Sequence, residues 1–249
     1  MCEKQTLSPI LWDPRGFLLP VQRATNSVNK GSEVVGLKSK EFAVLTVFST
    51  STSLTDKSET KIVAIDSHVG IAITGRKTDA HVIDEYLKVE CKKYKYYFGK
   101  PYPVNRLVAE LGNTMFRNSQ RISCQPFEVG ILFAGYDEGG SHIYQVMPSG
   151  EYFNCKAMVI GGRSQTVRNY LESNLECFLT STKEDIICDA IRAINWEIPG
   201  EKQSHLNIAI VGENQKFELL SGKDVATYEK KCRGCESVED SIQCYSQIS

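Results

Sequence analysis

A serine beside a histidine is the first pair in the sequence that could do chemistry, in the run Gly139-Gly140-Ser141-His142. A nucleophilic hydrolase needs a nucleophile, a base and a group that stabilises developing charge. The sequence contains no Gly-x-Ser-x-Gly elbow to present a serine in this way. Because the glycines follow Asp137-Glu138 between two apolar runs, the composition favours a hairpin turn over a catalytic pair.

Cysteine and histidine are the next candidates, as metal ligands. Cys232-x-x-Cys235 is half of a zinc site, but no second pair stands at finger spacing and Cys244 alone does not complete four ligands. The nine cysteines are odd in number and scattered, and the four histidines are dispersed. We therefore predict reduced thiols, a surface tail around Cys232, no metal and no cofactor; no Walker or dinucleotide motif supports nucleotide chemistry.

The run Lys92–Tyr97 contains three lysines and three tyrosines, a mixture of cations and aromatic rings that is typical of proteins that bind single-stranded nucleic acid. The alternative is a helix that ends here, with lysines favourable at its C-terminus and aromatic rings anchoring the next loop to Pro101. The chain is close to neutral, which favours the structural interpretation. An RNA-associated protein that uses this patch remains a weaker alternative.

The composition is that of an ordinary globular protein and excludes disorder and low-complexity scaffolds. The 249 residues include 29 Lys plus Arg and 30 Asp plus Glu, with 41% hydrophobic side chains. A net charge of -1 gives no global attraction for nucleic acid or an anionic membrane. No signal region or run long enough to cross a bilayer is evident. We predict a soluble, unsecreted chain whose partner is a protein or a peptide.

The hydrophobic periodicity predicts strands in groups and helices in pairs, and not strands that alternate with helices. Tight hairpins predict antiparallel strands at 34–38 with 42–47, 61–66 with 68–74, and 128–136 with 142–147, followed by a third strand of that group at 151–160. Helix pairs are predicted after residue 78 and after 160, and the chain closes with strands at 206–211 and 217–220 and a helix from about 224. This order predicts an α+β fold, a four-layer αββα sandwich of two antiparallel sheets.

The segment before the first strand predicts a short amphipathic helix at 20–30. Pro20 begins it, Gly31 follows it, and Val21, Ala24 and Val28 share one stripe. This helix must dock on the body of the protein. We predict a tail and turn at 1–19, a single domain at 20–228 that includes the helix, and a polar C-terminal tail at 229–249.

A series of motifs runs in order along residues 10–225. The motifs are Trp12-Asp13-Pro14-Arg15-Gly16, Val35-Gly36-Leu37-Lys38-Ser39-Lys40, Lys61-Ile62, Val69-Gly70-Ile71-Ala72, Thr78-Asp79-Ala80, Pro126-Phe127-Glu128-Val129-Gly130 and Ala134-Gly135-Tyr136-Asp137. Together they resemble the alpha subunits of the proteasome core particle. Trp12, the run Val35–Lys40 and the run Tyr152–Cys155 are most similar to the type-1 subtype of that family.

The resemblance implies an N-terminal nucleophile hydrolase sandwich without catalytic residues. In related beta subunits a threonine freed by self-cleavage is the nucleophile, helped by an aspartate and a lysine. Ser32 aligns with that threonine, Phe48 with the acid and Lys61 with the lysine. The helix at 20–30 would lie across the substrate cleft through Val21, Ala24 and Val28. A free-standing hydrolase with a processed Ser32 is the alternative.

The resemblance also implies partners, in the cytoplasm and the nucleus. Neighbouring alpha subunits and the beta ring would surround the chain, which would serve ubiquitin-dependent protein degradation without binding nucleic acid or membrane. Lys61 would pair with the C-terminal carboxylate of an activator tail and Gly75 would let that tail approach, while the Pro14 turn would shift on docking. The first helix departs from the family at Phe17, Pro20, Gln22 and Arg23, and the first ten residues lack the Tyr-Asp-Arg gating pattern.

Overall fold

The computed structural model describes residues 12–49, 61–121, 124–162, 164–195, 205–220 and 222–234. The predicted tail segments 1–11 and 235–249 lie outside the described residues, as does Cys235. The elements, in chain order, are α1 (Leu19–Val28), β1 (Val34–Lys38), β2 (Phe42–Ser49), β3 (Ile62–Asp66), β4 (Val69–Gly75), α2 (Lys77–Phe98), α3 (Val104–Gln120), β5 (Val129–Asp137), β6 (Gly140–Val146), β7 (Tyr152–Cys155), β8 (Ala157–Ile160), α4 (Ser164–Ser173), α5 (Leu175–Thr180), α6 (Lys183–Asn195), β9 (His205–Gly212), β10 (Gln215–Leu219) and α7 (Gly222–Gly234).

Two five-stranded antiparallel sheets pack face to face and confirm the αββα prediction. One sheet has the order β10-β9-β2-β1-β8 and the other β3-β4-β5-β6-β7. A middle layer of apolar side chains, with Leu45 and Leu132 fully buried, lies between the sheets. The α4 to α7 helices cover the first sheet and α2 with α3 cover the second. The strand 129–134 is buried throughout, as a strand between layers must be.

The helices bury the stripes that periodicity selected. Ile83, Leu87 and Cys91 of α2 are buried at i, i+4 and i+8. On α3 the buried set is larger and begins at Val104, directly after Pro103, which occupies the N-cap position. Gly99 ends α2 in the left-handed conformation, and its N–H donates to the carbonyl of Lys95 at 2.9 Å.

Three sequence expectations differ from the structure. Residues 151–160 are two strands instead of one: β7 pairs with β6, whereas β8 crosses to the other sheet and pairs with β1. Both partner sheets offer a free edge at this corner, so periodicity alone could not place the break. The helical segment after 160 is divided into α4 and α5.

The last helix is the third difference. The predicted tail boundary at 229 falls inside α7, which continues to Gly234. Cys232 is 4% exposed and packs in the cluster beneath α6, so the expectation of a surface thiol at Cys232 is wrong. Most side chains of this helix are polar, so its single apolar face could not be recognised from the composition.

Candidate functional site

Ser32 and Lys61 come together although 29 positions separate them. Ser32 lies two residues before β1, and Lys61 stands directly before β3. The Nζ of Lys61 donates a hydrogen bond to the Oγ of Ser32. The alignment of both residues with a nucleophile and its lysine thus corresponds to a real contact. We call the place where Ser32 and Lys61 meet, beside Gly31, the Ser32 groove.

The backbone that leads into Ser32 is hydrogen-bonded on both sides. The N–H of Gly31 donates to the carbonyl of Val28 at 2.9 Å, and the N–H of Gly162 donates to the carbonyl of Gly31 at 3.1 Å. Gly161 approaches Ser32 so closely that an added Cβ would overlap the Ser32 carbonyl oxygen. The segment from α1 to β1 is therefore part of the packed fold, and the Ser32 nitrogen is an amide in this chain.

The first helix packs on the second sheet, against β4 and β5. Val28 is fully buried and Ala24 is 1% exposed, whereas Val21 is only half-buried. Gly130 on β5 accommodates Val28, because an added Cβ there would lie 2.6 Å from a Val28 methyl carbon. Two of the three predicted stripe residues thus face the core. Val21 instead lines a shallow cleft with Phe116 near the end of α3.

Phe48 lies where the alignment puts the acid of related catalytic subunits. It is 8% exposed, and its N–H donates to the carbonyl of Glu33 at 3.2 Å. The ring packs into the apolar cluster beneath α6. A phenyl ring can neither accept a proton nor carry a negative charge, so position 48 supplies no acid.

Gly75 lies close to Gly31. An added Cβ on Gly31 would overlap the Thr74 hydroxyl and would come within 3.2 Å of the Gly75 nitrogen. The two residues predicted to dock a tail therefore flank the same Gly31-Ser32 peptide. Thr74 was missed from the sequence: it is 2% exposed, and its Oγ1 has no hydrogen-bond partner within the described part of the chain.

The backbone explains why position 75 is glycine. Its φ is +121°, and an added Cβ would overlap the carbonyl oxygen of Glu128. The segment after it holds Glu128 from three directions. The Arg76 N–H donates to the Glu128 carbonyl at 2.9 Å, the Arg76 guanidinium pairs with its carboxylate at 2.5 Å, and the Asp79 carboxylate accepts its N–H at 2.9 Å.

Pro14 lies in a tight exposed turn ahead of α1. The N–H of Gly16 donates to the carbonyl of Asp13 at 2.8 Å, and the N–H of Asp13 donates to the carbonyl of Phe17 at the same distance. Gly16 has a φ of +85°, which a glycine adopts without strain. The turn thus projects from the body on a short pair of hydrogen bonds.

The remaining candidates occupy structural positions. Glu138 and Gly139 form the loop of the β5–β6 hairpin, and the Ser141 hydroxyl donates to the carbonyl of Ser39. His142 hydrogen-bonds Asp137 at 2.8 Å, so the turn interpretation is confirmed.

The Lys92–Tyr97 run belongs to the last turns of α2. Tyr94 stacks on Tyr102 with 4.2 Å between ring centroids, which anchors the following loop as expected. Tyr96 and Tyr97 are 85% and 75% exposed.

The described residues contain neither a membrane span nor a cluster of metal-binding side chains. None of the helices in those ranges is long and apolar enough to cross a membrane. No group of three or more His, Cys, Asp or Glu side chains in the same ranges is arranged to hold a metal ion. The six described cysteines are free thiols.

Comparison with known proteins gives the groove its context. A family model described as "Proteasome subunit" matches residues 28–211. The chain belongs to the proteasome subunit family. The matched span begins in the last residue of α1 and includes Ser32, Phe48, Lys61 and Gly75.

Relatives within the proteasome subunit family agree with the subtype prediction. The chain is 46% identical over 224 residues to "Proteasome subunit alpha type-1" of Drosophila melanogaster, covering 88% of this chain and 80% of that protein. It is 37% identical to the alpha type-1 subunit of Dictyostelium discoideum, with 92% and 94% covered. The Caenorhabditis elegans alpha type-1 subunit is 34% identical, with 88% and 85% covered. The similarity to alpha type-1 subunits is confirmed.

Proposed function

We propose that this chain is a noncatalytic alpha-ring subunit of the proteasome core particle, which contacts neighbouring alpha subunits and stacks on the beta ring. The relatives named as alpha type-1 subunits support this role. The observation that carries it is the Ser32 groove, where Ser32 follows the packed helix α1 and its hydroxyl accepts a hydrogen bond from Lys61. We place its work in the cytoplasm and the nucleus, in ubiquitin-dependent protein degradation.

The absence of catalysis follows from the chemistry of this groove. An N-terminal nucleophile uses its own free amine as the base, and an amide nitrogen cannot accept a proton in that way. Lys61 already donates to Ser32, so a protonated ammonium there leaves the hydroxyl without a base. Phe48 offers no carboxylate to adjust this pair.

Exposed apolar side chains support assembly with other subunits. Large apolar patches on a monomer usually mark interaction surfaces. Such side chains occur along α2 and its end, on α3 and on β7; they are Val82, Val89, Tyr96, Tyr97, Phe98, Phe116, Tyr152 and Phe153. A ring would bury part of this area, and an isolated monomer would leave it in water.

The test compares the two candidate functions directly. N-terminal sequencing of the chain isolated from the assembled particle will find residues that precede Ser32. A peptide epoxyketone, which reacts with an N-terminal hydroxyl amino acid, will label other subunits of the particle and leave this chain unlabelled. A mature chain that begins at Ser32 would instead establish the free-standing hydrolase, and a stable isolated monomer in cells would reject the ring role.

We further propose that Lys61 and Gly75 receive the C-terminal tail of an activator. Both flank the Gly31-Ser32 peptide, and a cation in a partly desolvated place suits a carboxylate. Through its contact with Ser32, the Lys61 ammonium is held at the rim of the groove. The exposed Pro14 turn would shift on docking and would contribute to the gate.

Lys61→Glu tests this second role. A carboxylate at position 61 would repel the tail carboxylate, so the affinity for an activator tail peptide falls by about tenfold or more, while ring assembly is retained. Fluorescence anisotropy with the labelled tail peptide measures the affinity, and native mass spectrometry measures assembly. Lys40→Glu, an exposed charge reversal in the β1–β2 turn, is the control. An unchanged affinity in the Lys61 variant would reject the docking role.

A further inference from the structure

The outer edge of the first sheet lies at β8. This strand ends the order β10-β9-β2-β1-β8, and within the described ranges no strand pairs with its outer side. The Lys38 N–H donates to the Lys156 carbonyl at 3.0 Å, which makes that pair a hydrogen-bonded one. Because such pairs alternate in an antiparallel ladder, the main-chain groups of Ala157 and Val159 are directed away from β1. They are therefore aimed at the free edge.

A cleft of about 360 Å³ runs along this edge, between β8 and the helices α4 and α5. Ala157, Val159 and Leu171 line it and belong to the cluster beneath the helices. Cys155 and Met158 line it and pack on the layer between the sheets. The cleft thus lies at the rim of the sandwich, where both apolar layers reach solvent. We call it the β8 edge cleft.

Positive charge surrounds the apolar lining. Lys156 and Arg168 line the cleft, and Lys38 lies next to Cys155. Glu172, the single acidic residue of the lining, is exposed on the outer turn of α4. The balance at the cleft is three cations to one carboxylate, although the chain as a whole is neutral to within one charge. This local excess favours an anionic occupant.

Arg168 carries the strongest sign of a missing partner. Its Nε is buried and has no hydrogen-bond acceptor among the described residues. A buried guanidinium nitrogen without an acceptor is costly, and a carboxylate is the group that matches its geometry. Burial lowers the pKa of Lys38, because its ammonium group is partly desolvated. An incoming carboxylate would accept a hydrogen bond from the Nε of Arg168 and would stabilise the charged form of Lys38.

We propose that the β8 edge cleft binds an extended segment of a partner protein, which adds a strand along β8 and places a carboxylate against Arg168 and Lys156. Main-chain hydrogen bonds to Ala157 and Val159 supply the pairing, as in other cases of strand addition to a sheet edge. Alternate apolar side chains of the segment fill the lining between Met158 and Leu171. The ligand is therefore an acidic and apolar peptide in the β conformation, and the proposal does not depend on the docking role of Lys61.

The edge itself distinguishes a peptide from other anions. A row of alternating N–H and C=O groups is complementary to another polypeptide backbone and carries no match for a sugar–phosphate chain. The apolar lining on both sides likewise matches side chains that alternate between two faces. Charge alone would accept any anion, whereas the free strand edge selects an extended protein segment.

The experiment uses the assembled particle and reads the cleft through the Cys155 thiol, which lines it. The probe is a synthetic nine-residue peptide of alternating valine and threonine that ends in two aspartates with a free carboxylate. Iodoacetamide alkylation of Cys155, followed by mass spectrometry, is expected to slow by roughly fivefold at saturating peptide, since a bound strand covers the thiol. Cys124, which is half-exposed and precedes β5, is the internal reference and should react at an unchanged rate.

Two altered peptides and two protein variants separate the parts of the proposal. A peptide N-methylated at alternate residues lacks the donors for strand pairing and should not protect Cys155. A peptide that ends in two lysines should not protect it either. Arg168→Glu should weaken binding of the acidic peptide by about tenfold or more, whereas Arg106→Glu, the same charge reversal on α3, should leave it unchanged.

Several outcomes would overturn the proposal. Protection of Cys155 by the N-methylated peptide would show adsorption without strand pairing, and protection by a uridine oligonucleotide would show that any anion suffices. Failure of the acidic peptide to protect Cys155 in the particle would exclude the site. Protection in the free full-length chain but not in the particle would mean that a neighbouring subunit already covers the cleft, which also excludes an external partner.

Discussion

The Ser32 groove and the β8 edge cleft both combine polar side chains with apolar surroundings. They differ in whether the polar groups already have hydrogen-bond partners. In the groove, the hydroxyl of Ser32 and the ammonium of Lys61 bond each other, and the surrounding backbone is tied by Gly31 and Gly162. At the cleft, the Nε of Arg168 has no partner in the described part of the chain. In the groove the serine and the lysine already share a hydrogen bond, whereas at the cleft a buried nitrogen lacks an acceptor among the described residues.

This difference supports the proposed role of the chain as a ring subunit that works through its surfaces. The helix α1, which would have to be removed to free Ser32, is anchored by its fully buried Val28. A subunit of a larger assembly gains from exposed edges and docking places instead of a reaction centre. The free energies of unfolding of variants in the two regions should therefore differ, with large losses near the groove and small ones at the cleft.

The largest expected effect is at Gly75. Gly75→Ala places a Cβ against the Glu128 carbonyl oxygen at a φ of +121°, so the free energy of unfolding should fall by about 3 kcal/mol or more. Urea unfolding of the full-length chain measures it. Gly162→Ala is the control, because a Cβ there meets its nearest atom at 3.4 Å and should cost little. A Gly75 variant as stable as the Gly162 variant would contradict the clamp on Glu128.

An intermediate effect is expected at Val28. Val28→Ala empties the space over Gly130 and should lower the free energy of unfolding by about 2 kcal/mol. It should also increase proteolysis between α1 and Ser32, because the helix is held less tightly. Val21→Ala removes the same atoms from a half-buried position and should cost less than half as much. Equal losses in the two variants would mean that α1 is not anchored through Val28.

The smallest effect should appear at the cleft. Arg168→Met keeps an apolar stem and removes a nitrogen that has no acceptor, so the free energy of unfolding should change by no more than about 0.5 kcal/mol. Thermal unfolding of the full-length chain measures the change. Arg76→Met, which removes a charge bonded to Glu128 at 2.5 Å, should cost more. A large loss in the Arg168 variant would show that Arg168 serves the fold instead of a ligand.

Much of the fold followed from local patterns. The stripe Ile83, Leu87 and Cys91 specifies the buried face of α2, and Glu138-Gly139 specifies a hairpin loop, because both signals depend on residues a few positions apart. The division of residues 151–160 into the two strands β7 and β8 could not be predicted from local patterns. A strand that leaves one sheet for another keeps its apolar character, so only the pairing of β8 with β1 distinguishes it from a continuation of β7.

The candidate site was predictable in part, and for a similar reason. Alignment by family resemblance selected Ser32, Phe48 and Lys61, and the structure brings the first and the last into contact. Thr74 carried no signal, since a threonine in a strand is common and its place under Gly31 depends on the packing of α1 against β4. The unpartnered Nε of Arg168 is likewise invisible in a list of residues.

The amino-acid order by itself determined the class of fold and most of the buried faces of the helices, because these depend on residue type and short-range spacing. The family resemblance, and not the spacing, aligned Phe48 with an acid. The tertiary structure alone decided that Gly75 is required by Glu128, that Cys232 is buried under α6, and that β8 ends a sheet beside a cationic cleft. Each of these depends on atoms that are distant in the chain and adjacent in space, and packing is what brings such atoms together.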